Sequence, residues 1–327
     1  MNKNGFYQLA SIIWRKTILK WYRKAEQKGI EKYWDEHKKT CGIENKDKIF
    51  YVVRRRDVYC GLFSILITSL VRIDEALKHG YIPIIDMQNS MNIYLKKEEI
   101  EKVNAWEFYF RQPFDITLND IKKSKNVIIG SGAVPPMFPY MDVDFLMGKD
   151  GEIEYWRQLA RDYIKLNNVA QNEVNDKYQE LFSSEDRILG IKCRGTDYLN
   201  GKPKNHPVQP SVEQVLDKAK EMFKQYHCTK VFLATEDITY YRVLKEYFGD
   251  ALVTNKVDFL EYHGGSAGRE QYERGKNPFD EGMEYLVTTM LLARCNCLCA
   301  GRVSATVGAL LFTEGYEAIY LFDLGMY

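Results

Sequence analysis

Long apolar runs are missing from this 327-residue sequence. No uninterrupted apolar stretch reaches the roughly 18 residues that a membrane span needs, and the longest candidate, residues 61–71, contains Ser and Thr. The apolar stretch at residues 9–14 is too brief for the core of a signal peptide and continues directly into Arg15 and Lys16. We therefore expect a cytoplasmic protein.

A large net charge and the common nucleotide-binding motifs are lacking as well. The formal net charge is +1, so the overall charge does not predict a nucleic-acid partner. Neither G-x-G-x-x-G nor G-x-x-x-x-G-K-[ST] occurs, which argues against a dehydrogenase and against a P-loop enzyme. Hydrophobic residues make up 45% of the chain and charged residues 28%, a composition that can build real cores and is not that of a disordered chain.

Paired C-x-x-C motifs of the zinc-binding kind are also absent. The seven cysteines, an odd number, fit a reducing compartment better than a disulfide framework. Cys295, Cys297 and Cys299 alternate, which predicts that they share one face of a strand. We interpret them as buried apolar residues rather than metal ligands.

Short apolar runs alternate with helical segments along most of the chain. The predicted strands are 49–53, 81–86, 127–130, 188–193, 230–235, 251–254, 297–300 and 318–322. The predicted helices are 61–79, 152–169, 211–226, 238–248, 280–294 and 304–312. Such alternation predicts parallel, doubly wound sheets, and we expect an α/β protein with two Rossmann-like domains, residues 41–180 and 181–327, facing each other across a cleft.

Residues 1–40 are predicted to form a separate basic, amphipathic helical element. Six lysines and arginines precede the first acid, Glu26, and aromatic residues lie between them. This pattern is typical of helices that lie on anionic membrane surfaces. A helix that simply docks on the next domain explains it equally well.

The stretch Ile-Leu-Gly-Ile-Lys-Cys-Arg-Gly-Thr-Asp-Tyr, residues 188–198, is the most informative part of the sequence. It places Lys192 and Arg194 at the carboxyl end of a buried strand, the edge at which ligands bind in open α/β sheets. A guanidinium group there suits a phosphate or a carboxylate, although a structural ion pair with Asp197 is the alternative. A polar loop with His206-Pro207 follows and leads to a capping box that begins at Ser211.

This arrangement resembles the nucleotide-binding peptide of the GDP-fucosyltransferase superfamily, which includes α1,6- and α1,2-fucosyltransferases. In the α1,6 enzymes His-x-Arg-Arg-Thr-Asp is followed by a loop with His-Pro. The resemblance spans about residues 186–322, with a fainter match at 59–86. It implies a GT-B glycosyltransferase that moves fucose from GDP-fucose to a glycan with inversion, without a metal or other cofactor.

The resemblance also implies roles for individual residues. Arg194 would neutralise the β-phosphate, Glu236 or Asp237 would accept hydrogen bonds from guanine or ribose, and a helix amino terminus at residues 304–306 would cradle the phosphates. Capping of the helix that begins at residue 238 is a strong alternative for Asp237, and ordinary N-capping is an alternative for Ser304 that is compatible with the functional role. The implied donor-binding residues are Gly61, Lys192, Arg194, His206, Glu236, Asp237, Ser304, Ala305 and Thr306. Arg194 and Asp197 are the predicted catalytic residues, with Asp57 and Asp86 as further possible bases.

Three departures from the family pattern keep alternatives open. Lys192 stands where the family has a histidine that helps to hold guanine, and Gly195 stands where the closest relatives have a second arginine. The acid that some relatives carry before His-Pro is missing, so no general base follows from the resemblance. Another sugar nucleotide, or a catalytically inactive protein that binds sugar nucleotides or glycans, remains an alternative.

The expected partners are a nucleotide-sugar donor and a glycan acceptor, in the synthesis of a surface polysaccharide or glycoconjugate. We expect the aromatic residues of region 87–139 to recognise the acceptor, with core packing as the alternative. An anionic membrane surface is a possible partner of residues 1–40, and no nucleic acid is expected. Asp142-Val-Asp144 is the only pair suited to a metal-dependent alternative.

Overall fold

A computed structural model describes residues 32–255, 258–259 and 276–327, except for the side chains of Thr196 and Asp197. Most of the predicted basic helix, residues 1–31, lies outside this part of the chain. Within it, no helix is both long and apolar enough to cross a membrane.

The first half of the chain builds a four-stranded sheet in the order β1-β4-β2-β3. Its strands are β1 (His37–Lys39), β2 (Phe50–Val53), β3 (Ile82–Ile85) and β4 (Val127–Ile129). β2 is parallel to both of its neighbours, and β1 is antiparallel to β4. The helical prediction was wrong for residues 37–39, because this exposed edge strand is held by backbone pairing and carries no apolar alternation that would reveal it.

The second half builds a five-stranded, fully parallel sheet in the order β7-β6-β5-β8-β9. Its strands are β5 (Ile188–Lys192), β6 (Lys230–Ala234), β7 (Leu252–Val253), β8 (Cys297–Ala300) and β9 (Ala318–Leu321). β5 is buried along its whole length because helices cover both faces of the sheet, which explains its continuous apolar run. The strand order reverses between β5 and β8, which is the place where open α/β sheets form their ligand crevice.

Helices connect the strands. They are α1 (Leu62–Lys78), α2 (Val143–Leu146), α3 (Glu152–Tyr163), α4 (Asn168–Leu181), α5 (Thr196–Gly201), α6 (Val212–Gln225), α7 (Ile238–Phe248), α8 (Pro278–Ala293) and α9 (Ser304–Phe312). The single helix predicted for residues 152–169 was wrong. The first helix ends at Tyr163. Asn167 caps the start of a second helix, because its side chain accepts a hydrogen bond from the amide of Ala170 at 2.8 Å.

One hydrophobic core joins the two halves. It includes Tyr51 in the first sheet and Leu321 in the second. At its centre α9 packs against α1 so closely that a Cβ added to Gly308 would lie 2.2 Å from Cδ1 of Phe63. The division into domains at residue 180 stays a prediction, since the two sheets share this core.

All three alternating cysteines are buried, but the prediction that they share one face of a strand was wrong for Cys295. Cys297 and Cys299 are fully buried on β8, and Cys295, which precedes the strand, is 2% exposed. Cys297 and Cys299 belong to the core of the second sheet, whereas Cys295 packs in the core that joins the halves. The interpretation as buried residues is confirmed, and in the ranges that the structure describes no cluster of three or more His, Cys, Asp or Glu is placed to hold a metal.

Candidate functional site

Two connected hollows lie at the carboxyl edge of the second sheet. The inner cavity, about 170 Å³, is lined by residues that include Lys192, Glu236, Glu284, Thr288 and Ala305. The outer cleft, about 530 Å³, lies between the two halves and is lined by residues that include Arg55, Tyr59, Tyr140, Tyr198, His206 and Ser304. Four residues line both hollows, Tyr59, Gly61, Arg194 and Tyr285, so a single elongated ligand could occupy the two.

Arg194 stands at the junction of the inner cavity and the outer cleft. It follows β5, and its guanidinium carbon lies 4.3 Å from the ring centroid of Tyr198. Its Nε is 4.0 Å from Oε1 of Glu236, and 27% of its side chain is exposed. The aromatic ring orients the planar guanidinium by a cation–π contact, which places a fixed positive charge beside both hollows.

Lys192 is the buried cation of the site. Its side chain is 8% exposed, and Nζ lies 3.6 Å from Oε2 of Glu236. Nζ also donates to the carbonyl of Cys193 at 3.3 Å. Glu236 therefore lies between the two cations Lys192 and Arg194, at 3.6 and 4.0 Å.

Asp237 and Glu236 differ in role although they are adjacent. Oδ1 of Asp237 accepts a hydrogen bond from the amide of Thr239 at 2.7 Å and so caps α7. The carboxylate also packs against Gly195, where an added Cβ would lie 1.9 Å from Oδ2. Glu236, and not Asp237, is among the residues that line the inner cavity.

The amino terminus of α9 faces both hollows. Ala305 lines the inner cavity and Ser304 the outer cleft. Thr306 is fully buried, and its hydroxyl donates to the carbonyl of Gly301 at 2.6 Å. Val303 occupies the N-cap position, and its side chain makes no capping hydrogen bond. The first amides of α9 thus lack a side-chain cap and lie at the positive end of the helix dipole.

His206 joins the wall of the outer cleft through Tyr198. The hydroxyl of Tyr198 and Nδ1 of His206 are 3.0 Å apart. Because Tyr198 also stacks on Arg194, the three side chains form one continuous face of the outer cleft.

The three arginines that follow β2, Arg54, Arg55 and Arg56, have different environments. Arg54 is buried, and its guanidinium donates to the carbonyls of Gly130 and Tyr33 at 2.6 and 2.7 Å. Arg55 lines the outer cleft, whereas Arg56 is exposed. Burial away from water lowers the pKa of Arg54 from its ordinary value. Arg54 therefore has a structural role, and only Arg55 is placed to meet a ligand in the outer cleft.

The carboxylates considered as bases or metal ligands are largely engaged in local structure. Asp86 accepts from the amides of Gln88 and Asn89 at 2.8 and 3.0 Å, and Asp57 pairs with Arg55 at 3.2 Å. Asp142 caps α2, and Asp144 pairs with Lys149 at 2.5 Å. Asp197 lies in α5, but its side chain is outside what the structure describes, so its predicted catalytic role stays a prediction.

The sequence prediction overlooked the face of α8 that lines the inner cavity. Glu281, Glu284, Tyr285 and Thr288 recur at the three- and four-residue spacing of one helix face, a signal that could have revealed them. Burial raises the pKa of Tyr285 well above its ordinary value, while Arg194 acts in the opposite direction. The Tyr285 hydroxyl is therefore a neutral hydrogen-bonding group near neutral pH.

No aromatic residue of region 87–139, which the structure describes throughout, is among the residues that line the outer cleft. Trp106, Tyr109 and Phe110 are at most 1% exposed and belong to the core, so the acceptor prediction was wrong for these three. Their rings supply large apolar area that the first half needs in order to pack on α8. Met137 of this region does line the outer cleft.

The fold defined by the two α/β halves and their shared cleft is GT-B-like. No protein-family model and no curated protein matches this sequence. Among solved structures, the chain is similar to NodZ α-1,6-fucosyltransferase soaked with GDP-fucose, at 19% identity over 85% of this chain and 96% of that chain, with a TM-score of 0.50. This likeness confirms the predicted fold class.

Two further solved structures are more distant. Fucosyltransferase NodZ from Bradyrhizobium has 18% identity over 81% of this chain and 94% of that chain, with a TM-score of 0.46. Arabidopsis thaliana FUT1 in complex with GDP has 14% identity over 86% of this chain and 72% of that chain, with a TM-score of 0.44.

Proposed function

We propose that the protein is an inverting glycosyltransferase that moves fucose from GDP-fucose to a hydroxyl of a glycan. The observation that carries this proposal is the meeting of Arg194, Glu236 and the amino terminus of α9 around one cleft. In the reaction, the bond between C1 of the sugar and the β-phosphate oxygen breaks, the acceptor oxygen bonds to C1 from the opposite side, and the acceptor proton passes to a base.

Arg194 and α9 would bind the pyrophosphate. Both lie at the junction of the inner cavity and the outer cleft, where the leaving GDP gains negative charge as the bond breaks. A preorganised donor aimed at such charge contributes on the order of 3 kcal/mol to catalysis. The amides at Ser304 and Ala305 add the positive end of the helix dipole, so the site supplies positive charge from two directions.

Glu236 and Lys192 would read the base. Guanine presents N1–H and an exocyclic amino group side by side, and one carboxylate can accept from both. Lys192, 3.6 Å from that carboxylate, would donate to the neighbouring O6 oxygen. This pair supports guanine even though Lys192 stands where the family has histidine.

The outer cleft would hold the fucose and the acceptor glycan. Tyr59, Tyr140 and Tyr198 line it and offer ring faces of the kind on which sugars stack. Arg55 adds a hydrogen-bond donor from the opposite half. We propose Asp197 as the base that accepts the proton of the glycan hydroxyl.

Calorimetric titration in EDTA with GDP, UDP, CDP and GDP-fucose tests this function, using wild type, Arg194→Ala and Arg187→Ala. Arg187 lies at the opposite end of the same strand and pairs with Glu317, so its loss controls for the removal of a guanidinium. We expect selective GDP binding that survives chelation, is weakened in Arg194→Ala and is unchanged in Arg187→Ala.

The other outcomes identify the alternatives. Binding of UDP only after a metal is restored would overturn the fucosyl assignment and favour a metal site at Asp142 and Asp144. Tight GDP-fucose binding without GDP release in the presence of glycan acceptors would favour a protein that binds but does not transfer.

We also propose that residues 1–40 attach the enzyme to an anionic membrane for polysaccharide synthesis. Sedimentation with phosphatidylglycerol vesicles would test this attachment.

A further inference from the structure

Arg302 is not among the residues that line the inner cavity or the outer cleft, yet it links segments of both halves. Its side chain is 6% exposed. Nη1 donates to the carbonyl of Met141 at 2.9 Å, while Nη2 donates to Oδ1 of Asp323 at 2.7 Å and to the carbonyl of Gly325 at 3.2 Å. Because Met141 lines the outer cleft from the first half, one guanidinium joins that wall to a segment of the second half.

The segment held by Arg302, residues 325–327, pairs with the loop that carries His206. The amide of Val208 donates to the carbonyl of Gly325, and the amide of Tyr327 donates to the carbonyl of His206, both at 3.0 Å. An antiparallel bridge between residues 207 and 326 lies between these two bonds. The loop is therefore fixed from outside the cleft by this isolated antiparallel bridge and the two hydrogen bonds that flank it.

Gln209 ties the same loop directly to Arg302. Its amide nitrogen donates to the carbonyls of Pro207 and Arg302 at 3.2 and 3.1 Å, and the residue is 2% exposed. Both the side chain and the backbone of Arg302 thus restrain the loop. Such buried, multiply bonded groups hold a geometry more firmly than an exposed ion pair does.

The restraint reaches Arg194 through two contacts inside the cleft. Nδ1 of His206 is 3.0 Å from the hydroxyl of Tyr198, and the Tyr198 ring lies 4.3 Å from the guanidinium carbon of Arg194. A shift of the loop would move Tyr198 and release the guanidinium from its oriented position. Displacement of a charged group by about 1 Å is enough to cost a large factor in binding or rate.

We propose that Arg302 is a positioning residue that sets the orientation of Arg194 by holding the segment 325–327 against the His206 loop. The assignment of its effect to donor binding rests on the proposed function. Its effect on the loop does not, because the chain of contacts is independent of what the cleft binds.

Arg302→Met, which keeps most of the side-chain stem, tests the proposal with two readouts. Hydrogen exchange of peptides covering residues 203–209 is expected to accelerate, because the bonds of this loop to the segment 325–327 loosen. GDP affinity measured by calorimetry is expected to fall roughly ten- to hundredfold. Arg302→Lys should give nearly the same exchange rates and GDP affinity as Arg302→Met. One ammonium group cannot donate to both Met141 and Asp323 as the guanidinium group does.

Arg157→Met is the matched control. Arg157 is another largely buried arginine that donates to a backbone carbonyl, that of Leu310 at 2.7 Å, but it lies between α3 and α9. It should lower stability without changing exchange at 203–209 or GDP affinity. If Arg302→Met folds too poorly, Asp323→Asn, altered at a side chain that is 63% exposed, should change both readouts in the same direction by a smaller factor.

The outcomes separate this proposal from the proposed function. Unchanged exchange at 203–209 in Arg302→Met and Asp323→Asn overturns the positioning role, whatever the cleft binds. Faster exchange in a protein whose wild type does not bind GDP keeps the positioning role and overturns the fucosyl donor. Faster exchange with unchanged GDP affinity shows that the loop is held by Arg302 but does not orient Arg194, which also overturns the proposal.

Discussion

Replacing Gly195 by alanine should damage the site by steric collision rather than by loss of a functional group. The new Cβ would lie 1.9 Å from Oδ2, 2.6 Å from Cγ and 2.9 Å from Cβ of Asp237. These atoms belong to a short side chain that caps α7, so the carboxylate cannot move away without giving up the cap.

The size of the effect follows from three contributions. Overpacking costs about 1–3 kcal/mol, and loss of the cap costs about 1 kcal/mol. The smaller conformational entropy of unfolded alanine offsets these by about 0.4–1 kcal/mol. We therefore expect the free energy of unfolding to fall by about 1–3.6 kcal/mol in Gly195→Ala, measured by urea denaturation.

Two comparisons make this test strict. Gly201→Ala should change the stability little, because nothing lies within 4 Å of a Cβ at that position. Adding Asp237→Gly to Gly195→Ala removes all three colliding atoms, so the double variant should be at least about 1 kcal/mol more stable than the sum of the single effects predicts. Additive effects, or a Gly195→Ala protein as stable as wild type, would refute the reasoning.

Three further predictions concern packing, pH and the acceptor. Gly308→Ala should lower the free energy of unfolding by about 1–3 kcal/mol, measured in urea, because its Cβ would meet the Phe63 ring at 2.2 Å; an unchanged value would contradict the packing of α9 on α1. Hydrogen bonds from the backbone and hydroxyl of Ser183 lower the pKa of Asp186 below its ordinary 3.8. The ionised carboxylate therefore stabilises the fold above pH 3.8, and this stabilisation is lost as the pH falls through the lowered pKa. Asp186→Asn should therefore be less stable than wild type at neutral pH, with a difference that shrinks in acid. Arg55→Met should raise the acceptor KM of the proposed transferase while Arg56→Met does not, and equal effects would remove Arg55 from the acceptor site.

Local sequence patterns were sufficient to predict the strand and the helix start that carry or flank the site. β5 is buried on both faces, so its apolar run identified it without any knowledge of its neighbours. The capping box at Ser211 is present as predicted: the Ser211 hydroxyl accepts from the amide of Gln214 at 3.3 Å, and Oε1 of Gln214 accepts from the amide of Ser211 at 2.9 Å. The end of β5 fixed the location of Lys192 and Arg194 at the ligand-binding edge, because strand direction and sheet type follow from the βα alternation.

The tertiary structure separates neighbours with the same chemistry. Glu236 and Asp237 are both carboxylates at the end of β6, but the helix that follows takes Asp237 as its cap and leaves Glu236 in the cavity wall. Arg54 and Arg55 are distinguished in the same way, since the segment at Tyr33 covers the first and the cleft exposes the second.

The sequence by itself determined the α/β architecture and the edge at which the site lies, because these depend on periodicity and on short-range capping. The tertiary structure decided which side chains meet there. Arg302 is 161 residues from Met141 along the chain, and Tyr285 lines both hollows from α8. Contacts between segments so far apart depend on how the two sheets pack, and the periodicity of one segment does not show which other segment it meets.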